Sequence, residues 1–221
     1  SFSICNLPPE YRYRTSNLLL TSILPGPKEK KPDQIQRFLR PIISDLLRLW
    51  KHGIIVPTTS CPEGCLVRVA LVAVVCDKPA AHKIGRFGSH SHTYLCTGCW
   101  ITQADKDKPD SFIKDACTNA EQCACGEEYR KLTNLTARHN FVKLHVTRFT
   151  QLSRLPYFDL INQVVIDPMH NLFLSKFTFH FQSHITTVSC LFMSRSRKDP
   201  FLSYLDSKQD ISPKPQTTHL T

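Results

Sequence analysis

The sequence predicts a mixed α/β fold, and three observations carry that prediction. The run Leu66–Cys76 is rich in Val and Ala with almost no polar break, as in a strand buried on both faces of a sheet. Just before it, apolar residues recur at helical spacing from Ile35 to Trp50. Elsewhere, short apolar runs are punctuated by Pro and Gly, as strands joined by turns are. With 221 residues and 41% hydrophobic content, the chain can bury one core, so one domain with an insert is expected.

The elements follow in order. An apolar start is followed by Pro8-Pro9 and a second apolar run, Asn17–Leu24, which ends at Pro25-Gly26-Pro27; this reads as two short strands. Asp33 is placed to cap a helix whose buried stripe is Ile35, Phe38, Leu39, Ile42, Ile43, Leu46, Leu47 and Trp50. Gly53 stops that helix and Pro41 should kink it. Pro57–Gly64 reads as a loop before the buried strand, and Pro79-Ala80-Ala81 begins a helix after it. Asp105–Gly126 reads as polar and irregular, Glu127–Phe149 as helical, and Leu155–Leu174 as a return to apolar character. From Ser175 the composition is mixed, and no internal repeat or long low-complexity tract is present.

Lys and Arg number 28 against 18 Asp and Glu, for a formal net charge of +10 and a pI near 9.2. Such a surplus suits a polyanionic partner, nucleic acid ahead of membrane, or else simply a soluble basic surface. No apolar run is long enough to cross a bilayer, and Ser1–Pro9 does not read as a secretory leader. The 10 Cys are therefore expected to be reduced, some of them on metal, rather than to form a disulfide framework. Opening at Ser1 in what reads as mid-strand sequence, the chain is expected to be a fragment.

Two kinds of chemistry can be read from the side chains. Asp77 ends the buried strand, at the edge where open α/β sheets place ligands, and its carboxylate suits Mg²⁺. It can equally be the N-cap of the next helix, which on local sequence is the simpler reading. Asp167 also follows a β-branched run and could lie beside Asp77, with His170 one helical turn further on; it too has a capping alternative. Cys96 and Cys99 form a CxxC, half of a tetrahedral Zn²⁺ site, and nothing thioredoxin-like surrounds them. His90, His92 and His170 are candidates to complete it, while Cys117, Cys123 and Cys125 could form a separate site or be free surface thiols. There is no P-loop, GxGxxG or GxSxG.

The stretches CNLPPEYRYR, ILPGPKEKKPDQIQRFLRPIISDLLRLW, CPEGCLVRVALVAVVCDKPAAHKIGRFGSHSHTYLCTGC and RLPYFDLINQVVIDPMHNLFL resemble, in order and spacing, the CACTA-type (En/Spm-like) transposases abundant in mushroom-forming fungi. The resemblance covers roughly Ile4–Leu174. It implies an RNase H-like mixed sheet with flanking helices, interrupted by a Cys/His-containing zinc-knuckle insert over 95–150. It also implies metal-dependent cutting and joining of DNA at element ends. Asp77 in CDKPAA matches the second acid of the family's Mg²⁺ (or Mn²⁺) triad, and Cys96 and Cys99 match its zinc CxxC. Asp167 and His170 match its DxMH motif, as a metal-site or structural acid and a zinc ligand. DNA is the implied partner, with no membrane, a homo-oligomer in the intact family, and a nuclear location.

The sequence departs from that family as well. The first triad acid would lie upstream of Ser1, and 175–221 reads as a divergent, poorly ordered tail, so the last acid is expected to be missing and the chain to be catalytically inactive. Lys28, Lys30, Lys31, Arg37, Arg40, Lys83, Arg86, Lys131, Arg138, Lys143 and Arg148 are candidate phosphate contacts. The alternative from another class is a non-catalytic zinc-stabilised module that binds DNA or protein and needs no Asp77.

Overall fold

The computed structural model describes residues 1–167, apart from 27, 29, 86, 89–91, 95, 106, 109 and 111–115, together with the backbone of Ser189–Arg195. The elements run in the order β1 (Phe2–Ile4), α1 (Pro9–Arg12), α2 (Pro32–Lys51), β2 (Ile54–Thr58), β3 (Cys61–Cys76), α3 (Lys78–Gly85), α4 (Asn119–Lys131), α5 (Leu135–His145), β4 (Val164–Ile166) and β5 (Ser189–Arg195). The expected mixed α/β class is what the chain adopts: β3 pairs antiparallel with β2 and β5 and parallel with β4, while β1 pairs parallel with β5. Both β4 and β5 pair with Val74 and Val75, so they lie on opposite edges of β3.

The buried strand is present but longer than its apolar run. Its first half forms an exposed hairpin with β2, and only its second half, with Leu71, Val74 and Cys76 buried, enters the core. Pro57 lies where the β2–β3 register shifts, the place in a ladder where a missing N–H is tolerated. Pairing with β2 thus recruits Cys61–Gly64, which the Pro and Gly content had marked as loop. A second bulge at Val72 leaves ladder groups over: the Tyr157 hydroxyl accepts from Leu71 N–H (3.1 Å), and Gln163 Nε2 donates to the Val72 carbonyl (2.7 Å). Tyr157 also packs against Trp50, with ring centroids 4.4 Å apart. Burial pushes its phenol up to about 12.

Helix α2 follows its stripe, burying Gln36, Ile43, Leu46 and Trp50 against β3, and it runs through Pro41. It starts one position before the expected cap: Asp33 lies in the first turn, and Gln34 Oε1 accepts from Lys31 N–H (3.1 Å). Gly53 ends it at φ +69°, with its N–H on Leu49 O (3.1 Å), and a Cβ there would come within 2.7 Å of the Val67 carbonyl. Gly53→Ala combines a left-handed Ala with that clash, so a loss of about 2 kcal/mol or more is expected in urea denaturation. An unchanged midpoint would mean that the α2–β2 turn is not held this way.

Three expectations are corrected. Asn17 closes a short 3-10 turn (Thr15–Asn17), and among the described residues Leu18–Leu24 meets the sheet at the isolated Phe2–Leu19 bridge, so Asn17–Leu24 is not a second strand. Helix α4 begins at Asn119, inside the stretch read as irregular, because Thr118 and Glu121 form a capping box. Glu127–Phe149 is not one helix: the chain leaves helical geometry at Leu132, and Asn134 caps α5 through Thr136 N–H (2.8 Å). Ser189–Arg195 forms β5 between β1 and β3. One core joins α2, the second half of β3, α3 and the segment Leu152–Leu160.

Candidate functional site

The strand run Val74-Val75-Cys76 ends at Asp77, and the run Val164-Val165-Ile166 ends at Asp167. Because β3 and β4 are parallel with Cys76 opposite Ile166, the two acids leave the sheet side by side at its C-terminal edge. The join is closed by Asp167 N–H donating to the Cys76 carbonyl (2.8 Å). This juxtaposition is the one that the two β-branched runs suggested. Both acids are half-buried, which leaves each carboxylate access to water.

Asp77 also caps α3: its Oδ1 accepts from Ala80 N–H at 2.7 Å, and its carbonyl accepts from Ala81 N–H at 2.8 Å. Capping and metal binding are compatible, since a carboxylate has a second oxygen and further lone pairs to offer. His170 lies outside the described residues, as does His90.

The CxxC lies in a second cluster, beside the start of α4. Gly98 N–H points at Cys96 Sγ (3.3 Å), the type of N–H···S contact a metal-bound thiolate accepts, and Cys99 is buried. The knuckle is fastened to the segment before α4 by the Cys99–Ala116 bridge and by Cys117 N–H on the Gly98 carbonyl (3.0 Å). A small cavity there is lined by Cys96, Cys99, Cys117, Gln122, Trp100 and Val146. Val146, a β-branched residue at φ +54°, is held in place by Gly88 N–H on its carbonyl. Soft thiols around a small, half-polar cavity fit Zn²⁺ by donor chemistry. Among the described residues, however, no three Cys, His, Asp or Glu side chains form a ready-made metal cage.

The other Cys candidates separate. Cys117 is buried in this cavity, where Gln122 Nε2 donates to its Sγ (3.0 Å). Burial pushes its thiol up to about 11. Cys125 neighbours it, and burial raises its thiol too. Cys123 instead packs against the main core and donates to Asn119 Oδ1 (3.7 Å). His92 has a buried Nδ1 with no hydrogen-bond partner.

The basic candidates also sort by environment. Arg138 directs Nε to the Leu132 carbonyl (2.6 Å) beneath the Tyr129 ring, and Arg148 donates to the Phe87 carbonyl (3.5 Å), so both brace the fold. Arg37 and Arg40 stand on an exposed face of α2, and Arg48 and Lys51, not singled out in the sequence, continue it at helical spacing. The signal was available as cations at three- and eight-residue intervals, which share one helix face to the side of the buried stripe.

No curated protein and no solved structure matches the chain. Residues 2–111, just under half of the chain, match the model of the family described as Transposase family tnp2. That stretch, which contains Asp77, Cys96 and Cys99 but not Asp167, is similar to a transposase family.

Proposed function

We propose that this chain is part of a cut-and-paste DNA transposase of the CACTA (En/Spm-like) type found in fungi, with an RNase H-like core that works on chromosomal DNA in the nucleus. The observation that carries this reading is the pair of carboxylates, Asp77 and Asp167, at neighbouring ends of parallel strands. Support also comes from the transposase-family match over residues 2–111 and from the net charge of +10.

In this reading Asp77 and Asp167 together hold Mg²⁺ or Mn²⁺, which when bound polarises a phosphodiester and acidifies a water. The Arg37, Arg40, Arg48 and Lys51 face of α2 tracks phosphates at transposon ends. Cys96 and Cys99 hold a structural Zn²⁺, with His170 as a further ligand, and self-association brings two DNA ends together. Two carboxylates hold a pair of divalent ions poorly, so binding of DNA with little cleavage is the expected behaviour of the chain alone.

The test exploits the double use of Asp77. Asn caps a helix as well as Asp does, so Asp77→Asn should leave the melting temperature nearly unchanged, whereas Asp77→Ala should cost about 1 kcal/mol. Both, and Asp167→Asn, should weaken Mn²⁺ binding, read by titration calorimetry, by at least tenfold. DNA binding should persist in all three and fall steeply with salt. Mn²⁺ affinity that is identical in the wild type and Asp77→Asn would leave Asp77 with its capping role alone.

A further inference from the structure

We propose that Cys117 is the third thiolate of the zinc site begun by Cys96 and Cys99, with Gln122 as the residue that orients it. The inference extends the zinc reading given above and assigns a ligand from outside the residues that match the transposase family.

The geometry argues for it in three ways. The backbone brings Cys117 to the knuckle: its N–H bonds to Gly98, the residue between the two cysteines, and the preceding Ala116 bridges Cys99. All three side chains line the same cavity. Finally, the surroundings of Cys117 Sγ are those of a ligand with its outer support in place. It accepts from Gln122 Nε2 (3.0 Å), and the Gln122 Oε1 in turn accepts from the Thr147 hydroxyl (2.8 Å), all within buried structure. That chain fixes the amide's orientation and aims an N–H at sulfur, as outer-shell donors do around metal-bound thiolates.

Among the described residues the thiols do not form a closed cage as they stand, and the Cys117 S–H points to the Thr118 carbonyl (3.8 Å). Binding replaces that contact: Zn²⁺ displaces the S–H proton, which leaves to solvent, a Zn–S bond forms, and the Gln122 N–H···S bond is retained. The fourth position is filled by a nitrogen, oxygen or sulfur donor, and the three-thiolate core does not depend on which.

Co²⁺ substitution reads the thiolates directly, since the intensity of thiolate-to-metal charge transfer scales with their number. With the full chain, the wild type should bind one Co²⁺ or Zn²⁺ with a three-thiolate spectrum. Cys117→Ser should lose about a third of that intensity. It should also lose at least the ~10–100-fold in affinity that removal of an outer-shell partner alone costs. Cys65→Ser, a change in the exposed hairpin, should alter neither. As a check needing no variant, Zn²⁺ should protect Cys96, Cys99 and Cys117 from alkylation while Cys65 stays reactive. A metal-loaded wild type whose Cys117 still alkylates, or a Cys117→Ser spectrum equal to the wild type, overturns this assignment and leaves the CxxC reading standing. A wild type that takes up no metal overturns both.

Discussion

Leu71→Ala is expected to lower the unfolding free energy by about 3–5 kcal/mol. Leu71 is 2% exposed and sits in the half of β3 that faces α2. Its backbone N–H is held by the Tyr157 hydroxyl, and Tyr157 itself packs against Trp50. A void at this point has a sheet on one side and a helix on the other, and neither can collapse into it without breaking those contacts. Leu66→Ala, five residues earlier on the same strand but 45% exposed, should cost less than about 1 kcal/mol. Urea unfolding of the two variants measures the difference, and equal losses would mean that the core does not begin where the strand passes from hairpin to sheet.

The Cys96→Ala, Cys99→Ala double variant is expected to lose all bound zinc, about one ion per chain by elemental analysis. It should also lose protease protection between Phe87 and Cys117. Structural zinc contributes an apparent ~10–16 kcal/mol in isolated zinc-finger peptides, where it decides whether the peptide folds at all. Here the described segment around the knuckle is tied to the rest of the chain through the Phe87–Thr147 and Cys99–Ala116 bridges and the Gly88–Val146 hydrogen bond, so a zinc held by the proposed site would add to its order. The core of α2, β3 and Leu152–Leu160 shares no residue with the knuckle and should keep its cooperative unfolding. A double variant that digests like the wild type would remove any structural role for the pair.

Periodic patterns over long runs were legible in the sequence, and patterns completed by distant partners were not. The α2 stripe and the second half of β3 could be read because local spacing and burial agree there. The first half of β3 could not, since Pro62 and Gly64 look like a turn until β2 pairs with them. Thr118 and Glu121 advertised the start of α4 through the capping-box spacing, a signal masked by the polarity of the stretch. At the site, Asp77 and Asp167 could be placed at one edge because each ends a β-branched run. The approach of Cys117 to the CxxC was illegible, since it depends on the backbone bridge at Ala116 rather than on any spacing rule.

The parallel pairing of β3 with β4 also sets a timetable. The contact that precedes it, between Val72 and Gln163, closes a loop of 91 residues, so its entropy must be overcome before the strand pair returns any stability. Pairings of such separation form slowly and late. At ribosomal speeds of roughly 5–20 residues per second, the first acid emerges on the order of ten seconds before the second. During that interval the α2–β2–β3 unit can already fold by local contacts, while both edges of β3 at Val74 and Val75 wait unpaired, since β5 emerges later still, and stand open to any other strand. The nascent chain is thus most prone to aggregate over the very stretch that later carries its paired carboxylates.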